Sequence, residues 1–269
     1  PSWFEIRLRK EGELMASFVG QFGSMRYATR AEYQDGQLTV AIPKQYEVGP
    51  AELVFVGKLE GDSLRGTTTD ENGKTLQWSA VRAPALLTTQ APAWGKAIQL
   101  LNGKDMTGWK TRGGRYGDCW SVAEGVLSNK TPCADLISEQ RFGDFKLHVE
   151  FQVPAKGNSG VYLRGRYEVQ ISDIAGQVVD SLRMGSVYGW LKPQVNAAKG
   201  PNEWQAMDIT LVGRKVTVAL NGQTIIDNET IPGITGGALD SDEAVPGPIM
   251  LQGDHTRVIY RKVELTPAK

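Results

Sequence analysis

The residues of this sequence best suited to moving protons or steadying a developing negative charge are two histidines, one arginine and a few carboxylates. His148 and His255 are the only histidines in the chain. His148 lies two residues before Glu150, and His255 follows Gln252-Gly253-Asp254, where glycine lets backbone approach a ligand. Imidazole exchanges protons near neutral pH, and a carboxyl does so once burial raises its pKa. Glu168 stands in GNSGVYLRGRYEVQISD, residues 157–173, with Tyr162, Arg164 and Gln170 around it. A guanidinium such as that of Arg164 can orient a carboxylate or stabilise an oxyanion.

These residues need strands to position them. Residues 157–173 read as two strands meeting at Gly165. Val161 and Leu163 point one way and Tyr162 and Arg164 the other. Val169 and Ile171 then alternate with Glu168, Gln170 and Ser172. In residues 145–153, Phe145, Leu147, Val149, Phe151 and Val153 share one face, with Lys146, His148, Glu150 and Gln152 on the other. If these three strands neighbour one another in one sheet, its concave side carries His148, Glu150, Tyr162, Arg164, Glu168 and Gln170. Such planar hydrogen-bonding groups suit a sugar; a solvated polar face is the plainer reading. Glu150 and Arg164 could equally form a cross-strand ion pair. Residues 174–203 form a long irregular segment in which Tyr188 and Trp190 offer a platform for a sugar ring, or pins for the loop. A metal set of His148, Glu150 and Glu168 follows no recognised ligand spacing.

The whole chain bounds these options. Its 269 residues suffice for one large or two modest domains, and 30 basic residues balance 30 acidic ones. No basic run points to nucleic acid and no apolar run approaches a membrane span. The sequence starts at Pro1, so it reads as trimmed or processed, and the lack of a signal peptide says nothing about export. Cys119 and Cys133 lack partners at zinc-ligand spacing. They flank an apparent hairpin and favour a disulfide in an oxidising compartment, two separate buried thiols being the alternative.

Residues 1–83 carry about seven short alternating strands punctuated by Gly12, Asp35-Gly36, Gly61-Asp62 and Asn72-Gly73, the pattern of a small antiparallel β-barrel or β-sandwich. Residues 84–95, with Pro84 and Pro92, read as a linker. Strands resume from Ile98 to the end, and no helix of convincing length appears. The expectation is an all-β protein, with domains at 1–83 and 96–269.

The blocks LLNGKDMTGW (100–109), CWSVAEGVLSN (119–129), ADLISEQRFGDFKLHVEF (134–151), GNSGVYLRGRYEVQISD (157–173), NEWQAMDITLVG (202–213), VALNGQTIID (218–227) and GPIMLQGDHTRVIYRKVEL (247–265) together resemble the 3-keto-disaccharide hydrolase domain family. The resemblance runs from about 96 to 266. It implies a concanavalin-like β-sandwich, or jelly roll, and an exported bacterial protein, periplasmic or extracellular, acting on oxidised disaccharides or glycosides. The N-terminal region is similar to an accessory β domain of some members. The family often carries Lys-Pro before its Glu-Trp block, whereas here Lys199-Gly200-Pro201-Asn202 precedes Glu203-Trp204, so no role is carried to Lys199.

A ketone at C3 acidifies the C2 proton, and the C1 oxygen can then leave by elimination before water adds back. On this reading Glu168 or His148 is the base, His255 protonates the leaving oxygen and Arg164 meets the enolate. Glu150, Tyr162, Gln170, Tyr188, Trp190, Gln252 and Asp254 contact substrate. An ordinary glycosidase would need a second carboxylate, either Glu150 or Asp254. No cofactor is expected, and a divalent metal stays open. The other function classes are a non-catalytic carbohydrate-binding module and, more distantly, a laminin-G-like protein-binding domain.

Overall fold

A computed structural model describes residues 1–46, 52–70, 72–86, 91–114, 116–130 and 132–269. The expected linker 84–95 lies partly outside these residues. The chain divides into two compact units, Pro1–Ala85 and Leu86–Lys269. Strands are the only regular elements among the described residues. No helix there is long and apolar enough to cross a membrane.

The first unit holds β1 (Trp3–Leu8), β2 (Leu14–Val19), β3 (Arg26–Tyr27), β4 (Arg30–Gln34), β5 (Gln37–Ile42), β6 (Leu53–Glu60), β7 (Ser63–Thr69) and β8 (Thr75–Val81). Strands β1–β3 form one sheet and β4–β8 another, each in sequential antiparallel order. Alternation in β2 and β5 places Ala16, Phe18, Leu38, Val40 and Ile42 in a common core.

The second unit continues with β9 (Ile98–Gln99), β10 (Trp109–Thr111), β11 (Trp120–Ala123), β12 (Val126–Asn129), β13 (Leu136–Phe142), β14 (Phe145–Gln152), β15 (Asn158–Leu163) and β16 (Tyr167–Ser172). It closes with β17 (Gln205–Val212), β18 (Lys215–Leu220), β19 (Gln223–Thr230), β20 (Gly247–Leu251) and β21 (Ile259–Pro267). One sheet runs β10-β13-β20-β15-β16. The other runs β11-β12-β21-β14-β17-β18-β19, with β9 also on β21. The architecture is a jelly-roll β-sandwich.

Both sheets turn their apolar face inward. Phe145, Leu147, Val149 and Phe151 of β14 are buried, as are Val161, Leu163, Val169, Ile171 and Leu251 of the smaller sheet. Each such side chain contributes about 1.5–3 kcal/mol by leaving water. The β15–β16 hairpin turns at Arg164 and Gly165, both at positive φ, a conformation glycine adopts without penalty.

Cys119 and Cys133 form a disulfide, their Cα atoms 5.7 Å apart. The bridge fixes the approach to β13. The Cys133 N–H donates to the Gly253 carbonyl and the Ala134 N–H to the Gly117 carbonyl, while the Trp120 indole N–H reaches the Ala134 carbonyl at 2.7 Å. Closing a loop of this size stabilises a fold by about 3 kcal/mol. Replacing both cysteines with serine should therefore lower unfolding free energy in denaturant titration by about 2–4 kcal/mol; an unchanged midpoint would mean that hydrogen bonds alone hold the segment.

Candidate functional site

The outer face of the smaller sheet gathers the chemistry. Residues alternate along a strand, so Asp135 and Ile137 at β13, Met250 and Gln252 at β20, Gly160 and Tyr162 on β15, and Glu168 and Gln170 on β16 share that face. Ile137, Tyr162 and Met250, with Leu239 against them, form a small apolar cluster at one end. The other end holds carboxylates, amides and His255.

Glu168 lies at the centre and is only 4% exposed. Its side chain passes over Gly160: a Cβ there would come 2.8 Å from Glu168 Cγ and 2.9 Å from its carboxyl carbon. The Glu168 N–H is held by Thr235 Oγ1 at 3.0 Å, so the 231–246 loop buries it from above. Burial pushes the carboxyl up to about 8, with the negative field of Asp135 and Asp254 adding to the shift and the Tyr162 hydroxyl opposing it.

The hydrogen-bond geometry agrees. Tyr162 Oη lies 2.9 Å from Glu168 Oε2 and 2.9 Å from the Gly236 carbonyl oxygen. A phenol has one proton and a carbonyl can only accept. Both contacts are satisfied when Tyr162 donates to Gly236 and a protonated Glu168 donates to Tyr162. Gly237 keeps this space open, since a Cβ there would meet Tyr162 Oη at 2.5 Å.

Asp135 is the second buried carboxyl. Burial raises its pKa, against the pull of the Gly253 N–H and of Arg112. Gly253 N–H donates to Oδ1 at 3.0 Å. Arg112 Nη1 stands 3.4 Å from Oδ2 and donates to the Gly237 carbonyl at 2.8 Å. Arg112 thereby ties Asp135 to the loop that covers Glu168. Neither residue was among the candidates read from sequence.

Asp254 and His255 form a side-chain pair on the half-exposed rim. Asn129, only 1% exposed, positions their loop: its amide nitrogen donates to the Gly253 carbonyl and its amide oxygen accepts from the Val258 N–H. Gln252 N–H bonds the Gly160 carbonyl at 2.9 Å, and Gln170 Nε2 donates to Asn158 Oδ1 at 2.7 Å. Tyr188 joins the rim through its N–H, which donates to the Glu168 carbonyl at 3.0 Å. Trp190 follows in a turn closed on the Val187 carbonyl.

Three expected members of one shared face are placed elsewhere. β14 belongs to the larger sheet, so His148 and Glu150 do not share a sheet with Glu168. His148 bridges Asp208 at 2.7 Å and Glu150 at 3.2 Å. Although burial works the other way, Arg261 and His148 hold the Glu150 carboxyl below its usual range. Arg261 in turn stacks on Trp204, 4.3 Å from the ring centre. Arg164 follows the turn and serves a structural network: it donates to the Gly213 carbonyl at 2.6 Å and reaches the Tyr167 hydroxyl at 3.3 Å. Tyr167 faces away from the Glu168 side, so an enolate role for Arg164 has no geometric support. Nor do Glu150 and Arg164 form the cross-strand pair, because Glu150 pairs with Arg261. Among the described residues, no three His, Cys, Asp or Glu side chains converge as a metal ligand set.

Residues 96–266, well over half of the chain, match the family profile described as a 3-keto-alpha-glucoside-1,2-lyase-like domain. A crystal structure from Parabacteroides distasonis ATCC 8503, provisionally described as a glycosyl hydrolase, is 28% identical. It aligns over 69% of this chain and 93% of its own with a TM-score of 0.55. A second structure from that organism, described the same way, is 20% identical over 64% of this chain and 94% of its own, with a TM-score of 0.52; that likeness speaks to the fold alone. No curated protein matches the sequence.

Proposed function

Because the chain belongs to the 3-keto-alpha-glucoside-1,2-lyase-like domain family, we propose that it is a glycosidase that cleaves glycosides oxidised to a ketone at C3, by elimination followed by hydration. The observation that carries this reading is Glu168, a carboxyl held protonated to about pH 8 beside a second buried carboxyl, Asp135, and the Asp254–His255 pair.

In the proposed reaction a base takes the C2 proton. The electron pair delocalises onto the C3 carbonyl oxygen, then forms the C1–C2 double bond as the C1–O bond breaks. The leaving oxygen receives a proton, and water adds back across the double bond, hydroxyl to C1 and hydrogen to C2. His255, oriented by Asp254, serves as base. Glu168 is the acid for the leaving oxygen: a carboxyl that keeps its proton to about pH 8 is poised to give it up in the transition state. The reading from sequence gave these two the opposite roles, and burial of Glu168 is what reverses them. Arg112, paired with Asp135, supplies positive charge for the enolate oxygen. Export to an oxidising compartment fits the Cys119–Cys133 disulfide.

Two neighbouring carboxyls also favour a second reading, a conventional glycosidase using Glu168 and Asp135. One experiment separates the two. A panel of 3-keto-disaccharides and their unoxidised parents is incubated in deuterated water, and the released sugar is examined for label at C2. Elimination gives cleavage of the keto-sugars alone, with deuterium at C2. Equal cleavage of the parents without label would establish the two-carboxylate route. Binding without cleavage of either would make the domain a carbohydrate-binding module.

A further inference from the structure

The segment beside Glu168 has a surface unlike the rest of the second unit. Among its described residues the exposed large apolar side chains are Val178, Leu182, Tyr188, Val195 and Val245. Four of the five lie between β16 and β17, in the segment that runs along the edge of β16. Val178 is 84% exposed, Leu182 52% and Tyr188 37%.

The register fixes where this surface points. Val187 bridges Val169 in antiparallel fashion. The Gly185 N–H donates to the Gln170 carbonyl, the Gln170 N–H to the Ser186 carbonyl, and the Tyr188 N–H to the Glu168 carbonyl. The segment thus acts as a further strand on β16, with Tyr188 opposite Glu168. Opposed residues of a pair project from the same sheet face, so Tyr188 stands on the face that carries Glu168. The Gly189 N–H is bonded to the Ser181 carbonyl at 2.7 Å, which brings Leu182 to the same turn. Asn196 donates to the Ile174 and Gln177 carbonyls, so Val178 hangs from a fixed base.

The face is therefore asymmetric. At the β13 side stand Asp135 and Arg112, with Asp254 and His255 beyond β20. At the β16 side, past Glu168, it ends in Tyr188 and the apolar rim. An acid that protonates a glycosidic oxygen must sit where sugar and leaving group join. With Glu168 in that place, the sugar occupies the polar side and the leaving group extends over Tyr188.

We infer that this rim is a subsite for an apolar aglycone, and that the preferred substrates are oxidised glycosides of hydrophobic alcohols rather than of a second sugar. The inference rests on the proposed role of Glu168. A half-exposed tyrosine, with an apolar ring and a polar tip, suits the boundary between a sugar and a hydrophobic group, and the pairing of Tyr188 with Glu168 joins the rim to the site.

The test compares octyl and methyl 3-keto-glucosides, whose leaving alcohols have similar acidity, in the wild-type chain and in Leu182→Ser and Val178→Ser variants. The wild type should favour the octyl substrate in kcat/KM by roughly tenfold or more, the scale set by one or two buried methylenes in a pocket. Each variant should lose most of that preference through KM while handling the methyl substrate normally. Equal use of the two substrates by the wild type, or variants that lose both equally, would overturn the subsite. If neither keto-glycoside is cleaved, the proposed reaction fails. The rim is then judged by calorimetric binding of octyl glucoside against methyl glucoside, where equal affinity refutes it. A concentration-dependent dimer in sedimentation, abolished by Leu182→Ser, would assign the patch to a second copy of the chain and also refute it.

Discussion

Glu168→Gln lowers turnover of the cleaved glycoside by about a hundredfold or more, the usual contribution of one positioned acid or base, and leaves the fold intact. The amide keeps the shape of the carboxyl but has no proton to transfer. The pH profile carries the sharper signature. Burial, aided by Asp135 and Asp254, raises the native carboxyl to about 8 from an ordinary 4.5, so wild-type activity falls as pH rises through about 8. The variant retains no limb there. Stability moves in a related way. The native state holds this proton where the unfolded chain has released it, so the group's stabilising contribution is complete below pH 4.5 and is lost as pH climbs through about 8. Between those values the wild-type melting temperature should decline relative to that of the uncharged variant. His148→Ala is the control: its ring lies on the larger sheet between Asp208 and Glu150, and turnover should stay within about threefold of wild type. A Glu168→Gln enzyme of near-normal rate, or one that keeps the alkaline limb, would remove Glu168 from the mechanism.

The strands that carry Glu168 could be read from sequence because alternation in 145–153 and 157–173 is strict. Which strands pair could not. Period 2 says which face a residue occupies but not which sheet its strand joins, and β14 and β15, adjacent in sequence, lie in different sheets. That crossover separates His148 and Glu150 from the site. Asp135 was missed for a local reason. It stands just before β13 (Leu136–Phe142), whose pairing with β20 shifts register between Ile137 and Arg141; the irregularity breaks alternation, and LISEQRF does not look like a half-buried strand. Arg164 misled because its apparent parity with Tyr162 stops at the turn, where its φ is 53°. The protonation of Glu168 was beyond sequence reasoning. It depends on Thr235 and Gly236, which come from a loop more than sixty residues downstream, and on Asp135 more than thirty residues upstream.

Gly160→Ala is expected to disable the site without unfolding the protein. Gly160 pairs with Gln170 across the hairpin and turns the same face outward as Glu168. Its φ is not among the positive values, so alanine suits the backbone and the conflict is confined to space. The new methyl would sit 2.8 Å from Glu168 Cγ and 2.9 Å from its carboxyl carbon, well inside van der Waals contact. The Glu168 backbone cannot retreat, because it is paired on one side with β15 and on the other with Tyr188. The carboxyl arm must swing instead, breaking its contact with Tyr162 and leaving the position from which it meets the leaving oxygen. A displacement of about 1 Å can cost about a hundredfold in rate, and that is the loss expected here. Overpacking costs about 1–3 kcal/mol, and the lower entropy of an unfolded chain with alanine in place of glycine offsets about 0.4–1 kcal/mol of it. Circular dichroism should therefore show a folded protein with a modestly lower melting temperature. Turnover within about threefold of wild type in that folded variant would mean that the Glu168 carboxyl does not act from the position it holds over Gly160.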